Sequence, residues 1–166
     1  GTPGPGIAAL VARAKLAQRA WAKQSLETRK AAIRKLASAF LARGTEVVQT
    51  LMDEIGKPSG EAWTSEVVTA GELFDHWLAI IDDLLEPPEI SPTPINYPMK
   101  SVHLVPDPLG VIALIMPWNY PVHLPLRTIV PAILAGNAVV FKPSELAPRC
   151  GALLAEIFAA SLPADL

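Results

Sequence analysis

Hydrophobic positions in the first half of the chain recur every three to four residues, the spacing that gathers them on one side of an α-helix. Ile7, Leu10, Val11, Ala14, Ala17 and Trp21 form a first stripe with Lys15, Arg19 and Lys23 largely off it, which predicts a helix over residues 7–24. Ile33, Leu36, Phe40 and Leu41 predict a second over 27–43, with Gly44 as a left-handed stop. Thr45 is placed to cap a third, carrying Val47, Val48, Leu51, Met52 and Ile55, which Gly56-Lys57-Pro58 ends because proline cannot continue a helix. Ser59 is placed to cap a fourth that runs to about Leu85 through Val67, Val68, Gly71, Phe74, Trp77, Leu78 and Ile81. Gly71 in its interior costs about 1 kcal/mol against alanine. Either another backbone packs closely there or it is a tolerated weak point. Glu61, Glu66, Glu72 and Asp75 read as a solvated face, and nothing in the four helices points to chemistry.

The texture changes at Glu86. Pro87, Pro88, Pro92, Pro94 and Pro98 follow closely, a density that forbids helix and favours extended chain. In residues 99–106, Val102 and Leu104 alternate with Ser101, His103 and Val105, which predicts a short strand with one face buried. Residues 111–116 are apolar throughout, as in a parallel-sheet strand covered on both faces, and 138–141 repeat the pattern. The segment between them, about 122–135, predicts a crossover helix of the usual right-handed sense. Pro125 suits its first turn, Pro131 should kink or split it, and Gly136-Asn137 offers a stop. A last helix over 147–161 carries Leu153, Leu154, Ile157 and Phe158. The fold class is α/β: an N-terminal helical layer over residues 1–85, a Pro-rich linker and strand over 86–107, and a strand-helix-strand-helix unit of a parallel, Rossmann-like sheet over 108–166.

Composition narrows the function. A chain of 166 residues is one domain by length. Hydrophobic residues make up 51%, yet the longest apolar run, residues 111–116, is far short of the roughly 20 residues that span a bilayer, so no membrane span is expected. The surplus apolar surface predicts contact with other protein. A net charge of −2 leaves no electrostatic footprint for nucleic acid. The single cysteine, Cys150, excludes an internal disulfide and fits a reducing cytoplasm. The Gly/Pro-rich lead over residues 1–6 lacks a signal-peptide pattern. His76, His103 and His123 are too scattered to predict a metal site, so none is assigned.

Ligands of open parallel sheets bind beyond the carboxyl ends of the strands. Both predicted strands end there at a proline-marked turn, PWNYP at 117–121 and KPSE at 142–145. Asn119 carries an amide that can donate to developing negative charge without titrating, a role worth about 3–4 kcal/mol in a preorganised site. From spacing alone, a turn residue holding local backbone is the stronger reading. KPSE alone would be a loop with a helix cap at Ser144. Arg127 could reach a carboxylate but reads more simply as a surface cation. Cys150 falls in the first turn of the last helix, where a thiol pKa can be lowered.

PLGVIALIMPWNYP followed by AGNAVVFKPSELAP resembles the start of the cofactor domain of the aldehyde dehydrogenase superfamily. The preceding helical stretch and the Leu162-Pro163-Ala164 tail resemble it too, so the likeness covers most of the chain. The resemblance implies NAD(P)-dependent oxidation of a small-molecule aldehyde to a carboxylic acid. A cysteine attacks the aldehyde to give a thiohemiacetal, hydride passes to the nicotinamide, and water hydrolyses the thioester. It makes Asn119 the oxyanion donor, beside the backbone N–H of the nucleophile, and so reverses the preference from spacing. It sets Ile115, Met116, Pro117, Trp118 and Ser144 among the cofactor-binding residues, with Lys142 and Glu145 holding the adenosine ribose hydroxyls. An acid at Glu145 disfavours a 2′-phosphate and so favours NAD, though Lys142 leaves NADP possible. The family binds its cofactor without G-x-G-x-x-G, which is absent here. It places no nucleophile at Cys150, which leaves a packing or surface thiol. Its cysteine and glutamate base are expected beyond Leu166, so this chain should be an inactive first part of a longer homo-oligomeric enzyme, with residues 86–107 helping to assemble the oligomer. Two rival readings stay open: a non-catalytic nucleotide-binding or assembly module, and an acylating relative that makes an acyl-CoA or reduces an acyl phosphate.

Overall fold

The structure, a computed structural model, describes residues 5–90, 100 and 102–166. Helices come first: α1 (Pro5–Trp21), α2 (Leu26–Ala42), α3 (Gly44–Ile55), α4 (Ser59–Ala62) and α5 (Thr69–Leu85), the last two joined by a π-helical segment, Trp63–Val68. A two-residue antiparallel ribbon, β1 (Glu89–Ile90) with β2 (Val102–His103), follows. The unit β3 (Val111–Ile115), α6 (His123–Leu134), β4 (Ala138–Lys142) and α7 (Pro148–Ser161) completes the chain. β3 and β4 pair in parallel, Val111 opposite Ala138 and Ile115 opposite Lys142.

Most of each predicted stripe is buried or partly buried on α2, α3 and α5, though Met52 of α3 is exposed. Ile33, Leu36 and Phe40 meet Val47, Leu51 and Phe74 in a core that continues through Leu126 and Ile133 of α6 to Leu154 and Ile157 of α7. Phe40 and Phe74 lie with ring centroids 6.0 Å apart, a tilted pair that adds to the area they bury. α1 contributes Ala14 and Trp21, whose indole N–H donates to the Ile133 carbonyl at 2.8 Å and ties the first helix to the crossover. Its other end, at Ile7 and Leu10, is exposed.

Several expectations need correction. Leu41 is half exposed, because the buried stripe of α2 runs through Phe40. Gly44 is the first residue of α3 rather than a left-handed stop, and Thr45 lies inside the helix. The left-handed residue is Gly56, at φ +69°, after α3. Among the described residues only the Leu41 side chain comes near Gly71, and no backbone outside its own helix packs there. Pro131 sits within an unbroken α6, which gives up one hydrogen bond to the Arg127 carbonyl. β3 is not covered on both faces: Leu114 is buried but Ala113 and Ile115 are exposed. β2 has no buried face either, for Val102 and His103 are both exposed; Met99 and Ser101 of that predicted strand lie outside the described residues. At the outer edge of β4, the Val139 N–H donates to the Leu166 carbonyl at 2.8 Å. Among the described residues no helix is long and apolar enough to cross a membrane.

Candidate functional site

The register of β3 and β4 sets the site. With Ile115 opposite Lys142, and the Met116 N–H donating to the Lys142 carbonyl at 3.2 Å, both strands end together and release their turns from the same sheet edge. The structure therefore brings PWNYP and KPSE side by side. Ile115, Pro117, Trp118 and Asn119 are exposed on the first turn, while Met116 is partly buried against the core. On the second, Lys142 and Glu145 are exposed and Ser144 is buried.

The Asn119 turn is anchored from the helical layer. Lys57, just after α3, donates to the Asn119 carbonyl at 2.9 Å and to Glu66 Oε1 at 2.7 Å, and its ammonium lies 3.9 Å from the centre of the Tyr120 ring. Glu66 is fully buried, and its other oxygen accepts the backbone N–H groups of Val122 at 3.2 Å and His123 at 2.8 Å. Those two groups open α6, where no intrahelical partner exists. The solvated face expected for Glu66 is thus wrong. Glu66 lies in the π-helical segment, whose extra residue turns what precedes it by about 100° relative to a regular helix. Glu66 and Val67 are buried there, whereas Val68 is half exposed.

In the second turn Lys142 Nζ and Glu145 Oε2 are 2.8 Å apart, and the Lys142 ammonium holds the Glu145 carboxyl below the usual range. Ser144 does not cap the last helix. Its hydroxyl accepts the Leu146 N–H at 3.1 Å, which closes the turn itself. The cap comes from α3: Glu54 receives the Arg149 N–H at 2.6 Å and the Cys150 N–H at 2.7 Å. An acceptor 95 positions earlier leaves no signal in the local pattern. Burial and the nearby Glu54 carboxylate push the Cys150 thiol well above its ordinary range, so Cys150 is a packing thiol. Gly151 brings α7 against Pro143, where a methyl group would lie 2.5 Å from the ring.

A cleft of about 420 Å³ opens between α5 and α6, lined by Thr69, Glu72, Leu73, His76, Trp77, His123 and Arg127. Arg127, read from sequence as a surface cation, is exposed and lines it. Burial lowers the pKa of His123, with Arg127 and Lys57 adding to the effect and Glu66 opposing it. Among the described residues the Trp77 indole N–H and His123 Nδ1 are both buried without a hydrogen-bond partner. Among the described residues no three His, Cys, Asp or Glu side chains gather as metal ligands would.

Residues 5–166 match the aldehyde dehydrogenase family. The chain belongs to that family. It is 40% identical over 155 residues to N-succinylglutamate 5-semialdehyde dehydrogenase 1 of Caulobacter vibrioides, covering 92% of this chain and 31% of that protein. It is 35% identical over 134 residues to an aldehyde dehydrogenase of Craterostigma plantagineum, covering 81% and 28%. Its fold superposes on an NAD-dependent benzaldehyde dehydrogenase from Corynebacterium glutamicum with a TM-score of 0.84 at 32% identity, covering 96% of this chain and 34% of that one. A succinic semialdehyde dehydrogenase from Streptococcus pyogenes, in complex with NADP+, shares the fold with a TM-score of 0.87 at 24% identity, covering 99% and 35%. The chain thus spans about a third of the length of the relatives it matches.

Proposed function

We propose that this chain forms the cofactor-facing, oxyanion-donating part of an NAD(P)-dependent aldehyde dehydrogenase that oxidises an aldehyde to a carboxylic acid, with nucleophile and base supplied by further sequence. The observation that carries this reading is the parallel register of β3 and β4, which puts Asn119 and the Lys142–Glu145 pair at one sheet edge. That edge is where open parallel sheets take their ligands.

The residues present suit a dinucleotide. Lys142 and Glu145 meet through one oxygen, and both are exposed, so the remaining ammonium protons and carboxylate oxygen face outward. Such a pair suits two neighbouring ribose hydroxyls. The carboxylate accepts their protons and the ammonium donates to their oxygens. Trp118 and Ile115 offer apolar surface beside it. When bound, NAD(P) would supply the hydride acceptor. Glu145 disfavours a 2′-phosphate, which makes NAD the preferred form. The Asn119 amide would donate to the oxygen that gains charge as the aldehyde carbon is attacked. Cys150 is not the attacking group, since it is buried and its thiol is held protonated. The named relatives act on benzaldehyde and on semialdehydes, which supports an aldehyde as the substrate class.

The exposed β1–β2 ribbon, with Val102, Leu104 and Val105 open to solvent, supports a homo-oligomer assembled through residues 86–107. A cytoplasmic setting is supported by a lone, unpaired cysteine. The test is reduction of NAD and NADP by the complete protein against a panel of aldehydes. Aldehyde-dependent reduction, faster with NAD and absent from the purified 166-residue chain, is expected. Turnover by that chain alone, or none by the complete protein, would overturn the reading.

A further inference from the structure

Asn119 has little packing to hold it. It is exposed, and so are Pro117 and Trp118 beside it. An oxyanion donor must nevertheless keep a fixed place, because a displacement of about 1 Å in a catalytic group can cost about 10²-fold in rate. Lys57 and Glu66 reach this turn from the helical layer. Lys57 fixes the Asn119 carbonyl and lies over the Tyr120 ring, while Glu66 fixes the amides of Val122 and His123. The two are joined to each other at 2.7 Å with almost no exposure. The turn is therefore gripped at its functional residue and at its exit by one buried unit.

We propose that the Lys57–Glu66 pair is a positioning device for the oxyanion donor, holding the backbone of the Asn119 turn so that the amide keeps its aim. A buried ion pair is a poor source of stability compared with packed apolar side chains of similar volume. What it supplies is direction. One carboxylate and one ammonium satisfy three backbone groups of the turn and of α6, and no apolar pair could do that. Glu66 sits in the π-helical segment, and from there its carboxylate faces the start of α6. The proposal rests on the dehydrogenase reading above, since the group being positioned is its oxyanion donor.

The test is a double-mutant cycle in the complete enzyme, with Lys57→Met, Asn119→Ala and the two combined. Lys57→Met should lower kcat by about 10²-fold with little change in the KM for NAD(P). In the Asn119→Ala background the same substitution should lower kcat hardly further, because the group it positions is gone. A merely structural role would reduce the thermal midpoint and multiply through both backgrounds alike. If Lys57→Met does not fold, Lys57→Arg and Glu66→Gln take its place in the cycle, with Lys57→Arg, which keeps charge and donors, the milder of the two. A wild-type enzyme that turns over while its folded Lys57 or Glu66 variants keep kcat, or lose it equally with and without Asn119, would overturn this proposal alone. A wild type inactive towards aldehydes would overturn the dehydrogenase reading and the proposal with it.

Discussion

Gly151→Ala should destabilise this protein, although in most helices the same change stabilises. In a helix interior alanine is favoured over glycine by about 1 kcal/mol. At Gly151 the added methyl would lie 2.5 Å from Cγ and 2.6 Å from Cβ of Pro143. Carbon atoms rest at about 3.5–4.0 Å, so the overlap is about an ångström. Overpacking of that kind costs about 1–3 kcal/mol. Subtracting the propensity gain leaves a net loss of up to about 2 kcal/mol. The proline ring cannot fold away. α7 is held by Glu54 at its start and by Leu154 and Ile157 in the core, so relief has to come from the KPSE turn. That movement would carry Lys142 and Glu145 with it. Urea unfolding and NAD titration of the same variant are the assays, with Gly60→Ala, where among the described residues nothing outside its own helix lies within 4 Å, as the control of opposite sign. A Gly151→Ala protein about 1 kcal/mol more stable than wild type, with unchanged nucleotide affinity, would refute the close approach of α7 to the turn.

Glu66→Ala should cost about 3–5 kcal/mol by chemical denaturation, because it strands a buried ammonium and two backbone donors; a surface-like loss of a few tenths would contradict its burial. Lys57→Met added to Glu66→Ala should recover part of that loss, as the stranded charge is then gone. Because burial lowers the His123 pKa from its ordinary 6.5, the unfolded chain takes up that proton first as pH falls. This contribution to stability is full above about pH 6.5 and fades below it, so His123→Gln should flatten the decline in unfolding midpoint below neutrality, and an unchanged decline would contradict it. Glu145→Gln removes the charge that repels a 2′-phosphate, so the ratio of NADP to NAD affinity should rise in paired titrations; an unchanged ratio would show that Glu145 does not face the ribose.

Features written in consecutive residues were legible in the sequence. The stripe through Ile33, Leu36 and Phe40, the two strands and their turns all lie within short windows, and each appears where its pattern places it. PWNYP and KPSE were visible as separate turns, and their meeting at one edge follows from a parallel pairing that strand-helix-strand order already favours. The anchors of those turns were not legible. Glu66 reads as a solvated acid because a carboxylate is rarely buried unless paired, and its pairing with Lys57 is not written in the local pattern. Its partners Val122 and His123 lie more than fifty positions away. Glu54, which caps α7, is hidden for the same reason, while the nearer Ser144 closes its own turn instead. The even hydrophobicity of 111–116 suggested cover on both faces, but composition does not say how many elements surround a strand, and here Ala113 and Ile115 are open.

The most direct test of the central claim is the rate of aldehyde-dependent NAD reduction by the complete enzyme with and without Asn119→Ala. The expected result is a fall in kcat of about 10²–10³-fold, the usual loss when one oxyanion donor is removed, with NAD affinity unchanged. An Asn119→Ala enzyme that keeps its kcat would show that the turn after β3 does not serve the reacting oxygen.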